Sequence, residues 1–227
     1  MTNLQKCLSA AFESAQKEGS IPHNPWKAVP VLRDPDKQRK QVFTPTQIQT
    51  LLNAASDSLK GLILFGYFTG LRLQDIVNLK WENLDLATGM LRITAKKTDK
   101  EVALALHSDV KSWLASQAGK SGKGYVLAEL KSQSAPHLSR CFTRFMARAG
   151  VQGELIREAK GKSGNNLSGV TFHSLRHTFI SAMANAGVSK ELRMEIVGQT
   201  TGAVHKVYTH HETERLRSAI TTIPSIL

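Results

Sequence analysis

Four side chains in this 227-residue chain have types suited to attacking a phosphodiester and keeping the phosphate on the protein. Arg72 lies in Thr69-Gly70-Leu71-Arg72-Leu73-Gln74-Asp75, His173 and Arg176 in His-Ser-Leu-Arg, and Tyr208 in Val-Tyr-Thr-His. A guanidinium grips two phosphate oxygens at once, and a pair of them neutralises charge building on a phosphorane. A phenol can carry the phosphoryl group covalently, but with an unperturbed pKa near 10 it needs help losing its proton at neutral pH. An imidazole can give that help. An H-x-x-R on a helix is by itself more often a solvated face, so the weight lies in the order and spacing of the set.

Rivals for the roles are few. Tyr67 sits in an apolar run and reads as core, and Tyr125 stands beside a glycine loop with no His or Arg motif around it. His205, His210 and His211 crowd the tyrosine segment, but no cysteine or carboxylate spacing makes them a metal site, and none is expected.

Lysine plus arginine number 30 against 18 acidic residues, a formal charge of +12, which favours a polyanionic partner and binding that weakens with salt. Cys7 and Cys141 form no disulfide framework and read as reduced thiols of a cytoplasmic protein. No apolar run reaches the roughly 20 residues of a membrane span, and the start lacks the pattern of a signal peptide.

The elements that must hold these groups are legible in the periodicity. Residues 1–20 read as a helix with Leu4, Leu8, Ala11 and Ala15 on one stripe, followed by a linker rich in Pro, Asp, Lys and Arg to residue 40. Thr44-Pro45-Thr46-Gln47 is a helix start with a capping box, and Ile48, Leu51, Leu52 and Ala55 share a face. A nearly all-apolar helix over 59–68 stops at Gly70, immediately before Arg72. Residues 91–95 and 102–106 alternate with period two and read as a hairpin whose tip carries Lys96, Lys97 and Lys100. Ser108 reads as the cap of a helix containing Val110, Trp113 and Leu114. Leu138, Phe142, Phe145 and Met146 mark a further helix with Arg140, Arg144 and Arg148 on another face, either solvated or laid against phosphates. Residues 152–169 read as a mobile loop. Phe172, Leu175, Phe179 and Met183 mark a buried helix that carries His173 and Arg176, and Ser189 caps the next one. Ile223, Ile226 and Leu227 form an apolar tail without an evident partner.

The motif order resembles the tyrosine recombinase (phage integrase) family over about residues 43–215. That family combines an arginine in T-G-L-R, a hairpin lysine, H-x-x-R, an L-G-H segment, and a tyrosine nine residues beyond its histidine. The resemblance maps these onto Arg72, Lys97, His173 with Arg176, Gln199 and Tyr208; Lys96 and Lys100 compete with Lys97 for the hairpin role. Val197-Gly198-Gln199 stands where L-G-H is usual, and the step from Gln199 to Tyr208 is still nine residues.

The resemblance implies a mainly α fold with a small antiparallel β-sheet (α+β), the catalytic-domain fold of the family. It implies a helix of a truncated core-binding domain plus linker over 1–40 and a catalytic domain over 41–227. It further implies strand cleavage with Tyr208 as nucleophile, the two arginines on the phosphate, Lys97 protonating the leaving 5′ oxygen, and Asp75 bracing Arg72. Gln199 would donate to the phosphate in place of histidine. Because the phosphotyrosine conserves the bond energy, no ATP is implied, and with two arginines and a lysine supplying the positive charge, no metal or other cofactor is implied either. The implied partner is double-stranded DNA, bound by a tetramer on paired recombination sites, with a monomer expected without DNA and a tail lent to a neighbouring protomer. Two other readings stay open: a type IB topoisomerase-like strand cleaver, and a non-catalytic DNA-binding regulator using residues 182–196 as a helix-turn-helix.

Overall fold

A computed structural model describes residues 3–29, 41–95, 100–117, 124–153, 155–157, 167–198 and 217–226. Lys96, Lys97, Gln199 and Tyr208 lie outside the described residues, as do His205, His210 and His211. Contacts divide the chain into two units, Met1–Arg39 and Lys40–Leu227. The described part is mainly helical with a small antiparallel sheet.

In the first unit, helix α1 (Asn3–Lys17) is followed by a 3-10 turn at Pro25–Ala28. Asn24 caps that turn by accepting from the Trp26 N–H at 2.9 Å, and its amide donates to the Ser9 carbonyl at 3.5 Å. The Trp26 ring then stacks on Phe12 at 6.4 Å. The covered side of α1 therefore carries Gln5, Leu8, Phe12 and Ala15, and Leu4, expected on that stripe, is 69% exposed.

The second unit begins with α2 (Pro45–Ala54), whose capping box closes in both directions: the Gln47 N–H donates to Thr44 Oγ1 at 3.2 Å and the Thr44 N–H to Gln47 Oε1 at 3.0 Å. Helix α3 (Asp57–Thr69) has no polar face to show to water, and from Gly61 to Thr69 every residue is buried. It stops at Gly70, which takes φ +61°. A short helix α4 (Leu73–Val77) follows, then strands β1 (Leu84–Asp85), β2 (Met90–Ala95) and β3 (Lys100–Ala105), an antiparallel sheet in that order with Leu91 opposite Leu104 and Ile93 opposite Val102. Helices α5 (Ser108–Ser116), α6 (Ala128–Lys131) and α7 (Ala135–Arg148) lead to a two-stranded ladder, β4 (Leu155–Arg157) and β5 (Leu167–Ser168). Helix α8 (Phe172–Asn185) packs across α3, and α9 (Lys190–Ile196) follows, with Ser189 accepting from the Leu192 N–H at 3.3 Å.

Three expectations are corrected. Residues 152–169 hold the paired strands β4 and β5 in their described part, a ladder that polar, glycine-rich composition conceals. Helix α5 is capped by His107, not Ser108: His107 Nδ1 accepts from the Asp109 N–H at 3.2 Å, because Nδ1 sits about as far from the backbone as the amide oxygen of an asparagine. The apolar tail has a partner in its own chain. Ile223 and Ile226 are 3% and 8% exposed, the Ile223 carbonyl lies 3.1 Å from His107 Nε2, and the Ile226 N–H donates to Asp109 Oδ2 at 3.1 Å. With Nδ1 occupied as an acceptor, Nε2 carries the proton and donates to that carbonyl. Among the described residues no helix is long and apolar enough to cross a membrane.

Candidate active site

Arg72 stands at the N-cap position of α4, directly after the turn that ends the buried helix α3. That turn is fixed twice over. Thr69 Oγ1 donates to the Phe65 carbonyl and accepts from the Leu71 N–H at 3.2 Å. At Gly70, a Cβ would meet Phe179 Cδ1 at 2.5 Å and Val197 Cγ1 at 3.2 Å, so the backbone touches α8 and the end of α9 there. The left-handed φ adds a second reason for glycine. Arg72 itself keeps partial access to solvent, with 22% of its side chain exposed, and its Nη1 lies 3.9 Å from Oδ2 of the buried Asp75.

His173 and Arg176 share α8, whose start is closed by Thr171 and Ser174 in a capping box, the Thr171 N–H donating to Ser174 Oγ at 3.0 Å. Thr178 ties the same helix to the segment before α2, accepting from the Phe43 N–H at 2.9 Å and donating to the Ser174 carbonyl at 2.8 Å. On this fixed rod the two residues behave differently. His173 is exposed in the first turn of α8, where the helix dipole favours an anion. Arg176 is 2% exposed.

The buried guanidinium is a bridge. Nη1 donates to the Gly70 carbonyl and Nη2 to the Val197 carbonyl, both at 2.7 Å. Each acceptor lies two residues before a candidate site residue, Arg72 in one case and Gln199 in the other. Burial, and then the charge of Arg72, lower the Arg176 pKa to about 10, while Asp75 acts in the opposite direction. It is therefore still a cation at neutral pH. Gly198, at φ +60°, closes the pattern: a Cβ there would lie 2.9 Å from Val102 Cγ2, so the end of α9 rests on β3, the strand that leads away from the lysine-bearing tip.

The structure thus brings Arg72, Asp75 and Arg176 together and sets the end of α9 and strand β3 beside them. The positions of Lys97, Gln199 and Tyr208 fall outside the described residues, and so do those of Lys96 and the Lys100 side chain. The other two tyrosines are placed elsewhere. Tyr67 is 3% exposed within the hydrophobic core, out of reach of a DNA backbone, and burial followed by the charge of Asp109 raises its phenol pKa. Tyr125 lies under the Lys131 ammonium at 4.5 Å and lines a cavity of about 450 Å³ with Asp57, Trp81 and Trp113, at the end of α3 opposite Arg72. Arg140, Arg144 and Arg148 are all exposed on α7, opposite the buried Leu138, Phe142 and Phe145. Two features escaped the sequence reading: the bridging role of Arg176 and the placement of His177, whose ring meets that of His173 edge to face at 4.8 Å. The only signal for the second was the four-residue step between the two histidines.

Known proteins resemble this chain in sequence and in fold. The family model described as "Phage integrase family" matches residues 41–215. The integrase of Salmonella phage P22 is 24% identical over 225 residues, covering 92% of this chain and 54% of that protein. Tyrosine recombinase XerC of Pseudomonas aeruginosa is 25% identical over 232 residues, covering 95% of this chain and 71% of its own length. Among solved structures, a lambda integrase dimer bound to a COC′ core site superposes with a TM-score of 0.64 at 22% identity, over 90% of this chain and 74% of that one, which is a likeness of fold. The chain spans about half the length of the P22 relative. With its matched segment running from before α2 to past the tyrosine, the chain belongs to the phage integrase family, the tyrosine recombinases that cleave and rejoin DNA.

Proposed function

We propose that this chain is the catalytic portion of a site-specific DNA recombinase of the integrase type, cutting duplex DNA through a 3′-phosphotyrosyl link to Tyr208. The observation that carries the reading is the Arg176 bridge, which fastens the backbone before Arg72 and the backbone before Gln199 to one buried cation. Two guanidiniums set side by side, one reachable from solvent, suit a phosphodiester oxygen pair better than any neutral ligand. Arg72 grips the phosphate, and Arg176 holds the frame and adds its charge from below. His173 assists proton removal from Tyr208, Lys97 protonates the departing 5′ oxygen, and Gln199 donates to a non-bridging oxygen where the family pattern has histidine. The free 5′ hydroxyl of a partner strand then attacks the phosphotyrosine and rejoins the backbone.

Arg140, Arg144 and Arg148 run along an exposed helix face and are assigned to DNA phosphates, with Lys96 and Lys100 on the hairpin. Residues 1–40 are assigned to the end of a core-binding domain and its linker, and 41–227 to the catalytic domain. The working assembly is a tetramer on paired sites, formed from monomers when DNA is present, in the cytoplasm of a bacterial host. Incubation with nicked duplexes tiling the DNA that flanks the gene tests the reading. A covalent protein–DNA adduct should form and be lost in Tyr208→Phe; an adduct that survives that substitution overturns the assignment.

A further inference from the structure

We propose that His177 is a positioning residue for His173, holding the exposed imidazole in the one orientation from which it serves the phosphodiester reaction; this rests on the role given to His173 above. The two residues stand four apart on α8, so their side chains share one face. Helical side chains lean toward the N-terminus, and the ring of His177 therefore lies over the turn that carries His173. The observed contact has the rings 90° apart with centroids at 4.8 Å, the edge-to-face arrangement that aromatic pairs prefer.

The asymmetry of the pair gives the contact a direction. His173 is exposed, and its ring edge meets that of His177. His177 is half-buried between two buried neighbours, Arg176 and Thr178. Both neighbours are bonded to backbone outside the helix or to its own turns: Arg176 to Gly70 and Val197, Thr178 to Phe43 and Ser174. His177, the less exposed ring of the two, is the more restricted member of the pair, and His173 is the one that is guided. Sequence patterns of the H-x-x-R kind leave this neighbour out, although it stands next to the arginine.

The test is single-turnover cleavage of nicked duplex by six proteins, the parent, His177→Ala, His177→Phe, His173→Ala, the double variant His173→Ala/His177→Ala, and Tyr208→Phe, with DNA affinity and thermal melting measured on each. Losing an edge-to-face pair should slow cleavage about two- to tenfold in His177→Ala, with affinity for DNA unchanged. His177→Phe restores a ring edge and should return the rate to within about twofold. In a His173→Ala background, adding His177→Ala should change nothing further, a coupling that a merely structural residue would not show. Parental cleavage by His177→Ala overturns the proposal, and so does a His177→Phe rate as low as that of His177→Ala. Should Tyr208→Phe still form the adduct, the catalytic reading itself fails, an outcome distinct from either of these.

Discussion

Replacing Arg176 by alanine should loosen two stretches of backbone that are far apart in sequence, and should do so locally before the whole fold gives way. The guanidinium makes two charge-assisted bonds, each of 2.7 Å, to carbonyls of the buried residues Gly70 and Val197. A hydrogen bond to a charged group is worth about 1.5–3 kcal/mol, and a buried carbonyl left without its donor costs a similar amount. Global stability is the poorer readout, because deletion also removes a cation that burial holds at a pKa of about 10, and relieving that cost offsets part of the loss. Hydrogen exchange resolves the two. With each decade of exchange worth about 1.4 kcal/mol, amides around residues 70–72 and 196–198 should exchange about ten- to a hundredfold faster in Arg176→Ala, while amides in α2 and α5 change little. Arg176→Lys should resemble the alanine variant at one of the two stretches, since an ammonium lacks the planar fork that spans both carbonyls. If both stretches keep parental protection while cleavage disappears, Arg176 acts on the phosphate alone and the bridge has no part in assembling the site.

Gly70→Ala forces a left-handed φ on a residue with a side chain and drives its Cβ to 2.5 Å from Phe179; urea unfolding should show a loss of about 2–5 kcal/mol, and a change below about 0.5 kcal/mol would contradict the described turn. His107 is held neutral in the fold, its pKa lowered first by burial, with Asp109 and the Ile223 carbonyl opposing. A group whose folded pKa is depressed contributes stability above its unfolded value of about 6.5 and loses it as pH falls through the folded one. The parent should therefore lose melting temperature as pH falls below about 6.5 more steeply than His107→Asn, which keeps a cap acceptor at the place of Nδ1 and does not titrate; parallel profiles would remove His107 from the account. Changing Arg140, Arg144 and Arg148 together to glutamine should lower the slope of log Kd against log salt by up to about 3, with an unchanged slope placing those arginines away from DNA.

How much the sequence disclosed depended on whether a residue's role was local. The cap of α2 rests on Thr44 and Gln47, three residues apart, and the stop of α3 on Gly70, so both were legible. Helices α4 and α6 span five and four residues, too few to display a period. Histidine is seldom a helix cap, and the ring of His107 became one because it is clamped against Phe68 at 4.0 Å and against the tail, a chain segment 116 residues away. The candidate site divides in the same manner. Arg72, His173 and Arg176 were found by motif, whereas the inward turn of Arg176 depends on carbonyls 106 and 21 residues distant, which no spacing rule contains. The tail's place was not legible because Ile223 and Ile226 join a core built from segments far away in sequence, and the groups that hold its backbone, His107 and Asp109, stand more than a hundred residues earlier.

The most direct measurement is mass spectrometry of the covalent adduct after protease and nuclease digestion. The account requires a nucleotide joined through its 3′ phosphate to the peptide containing Tyr208. A nucleotide found on Tyr125, a 5′ linkage, or a link to a residue other than tyrosine would contradict it.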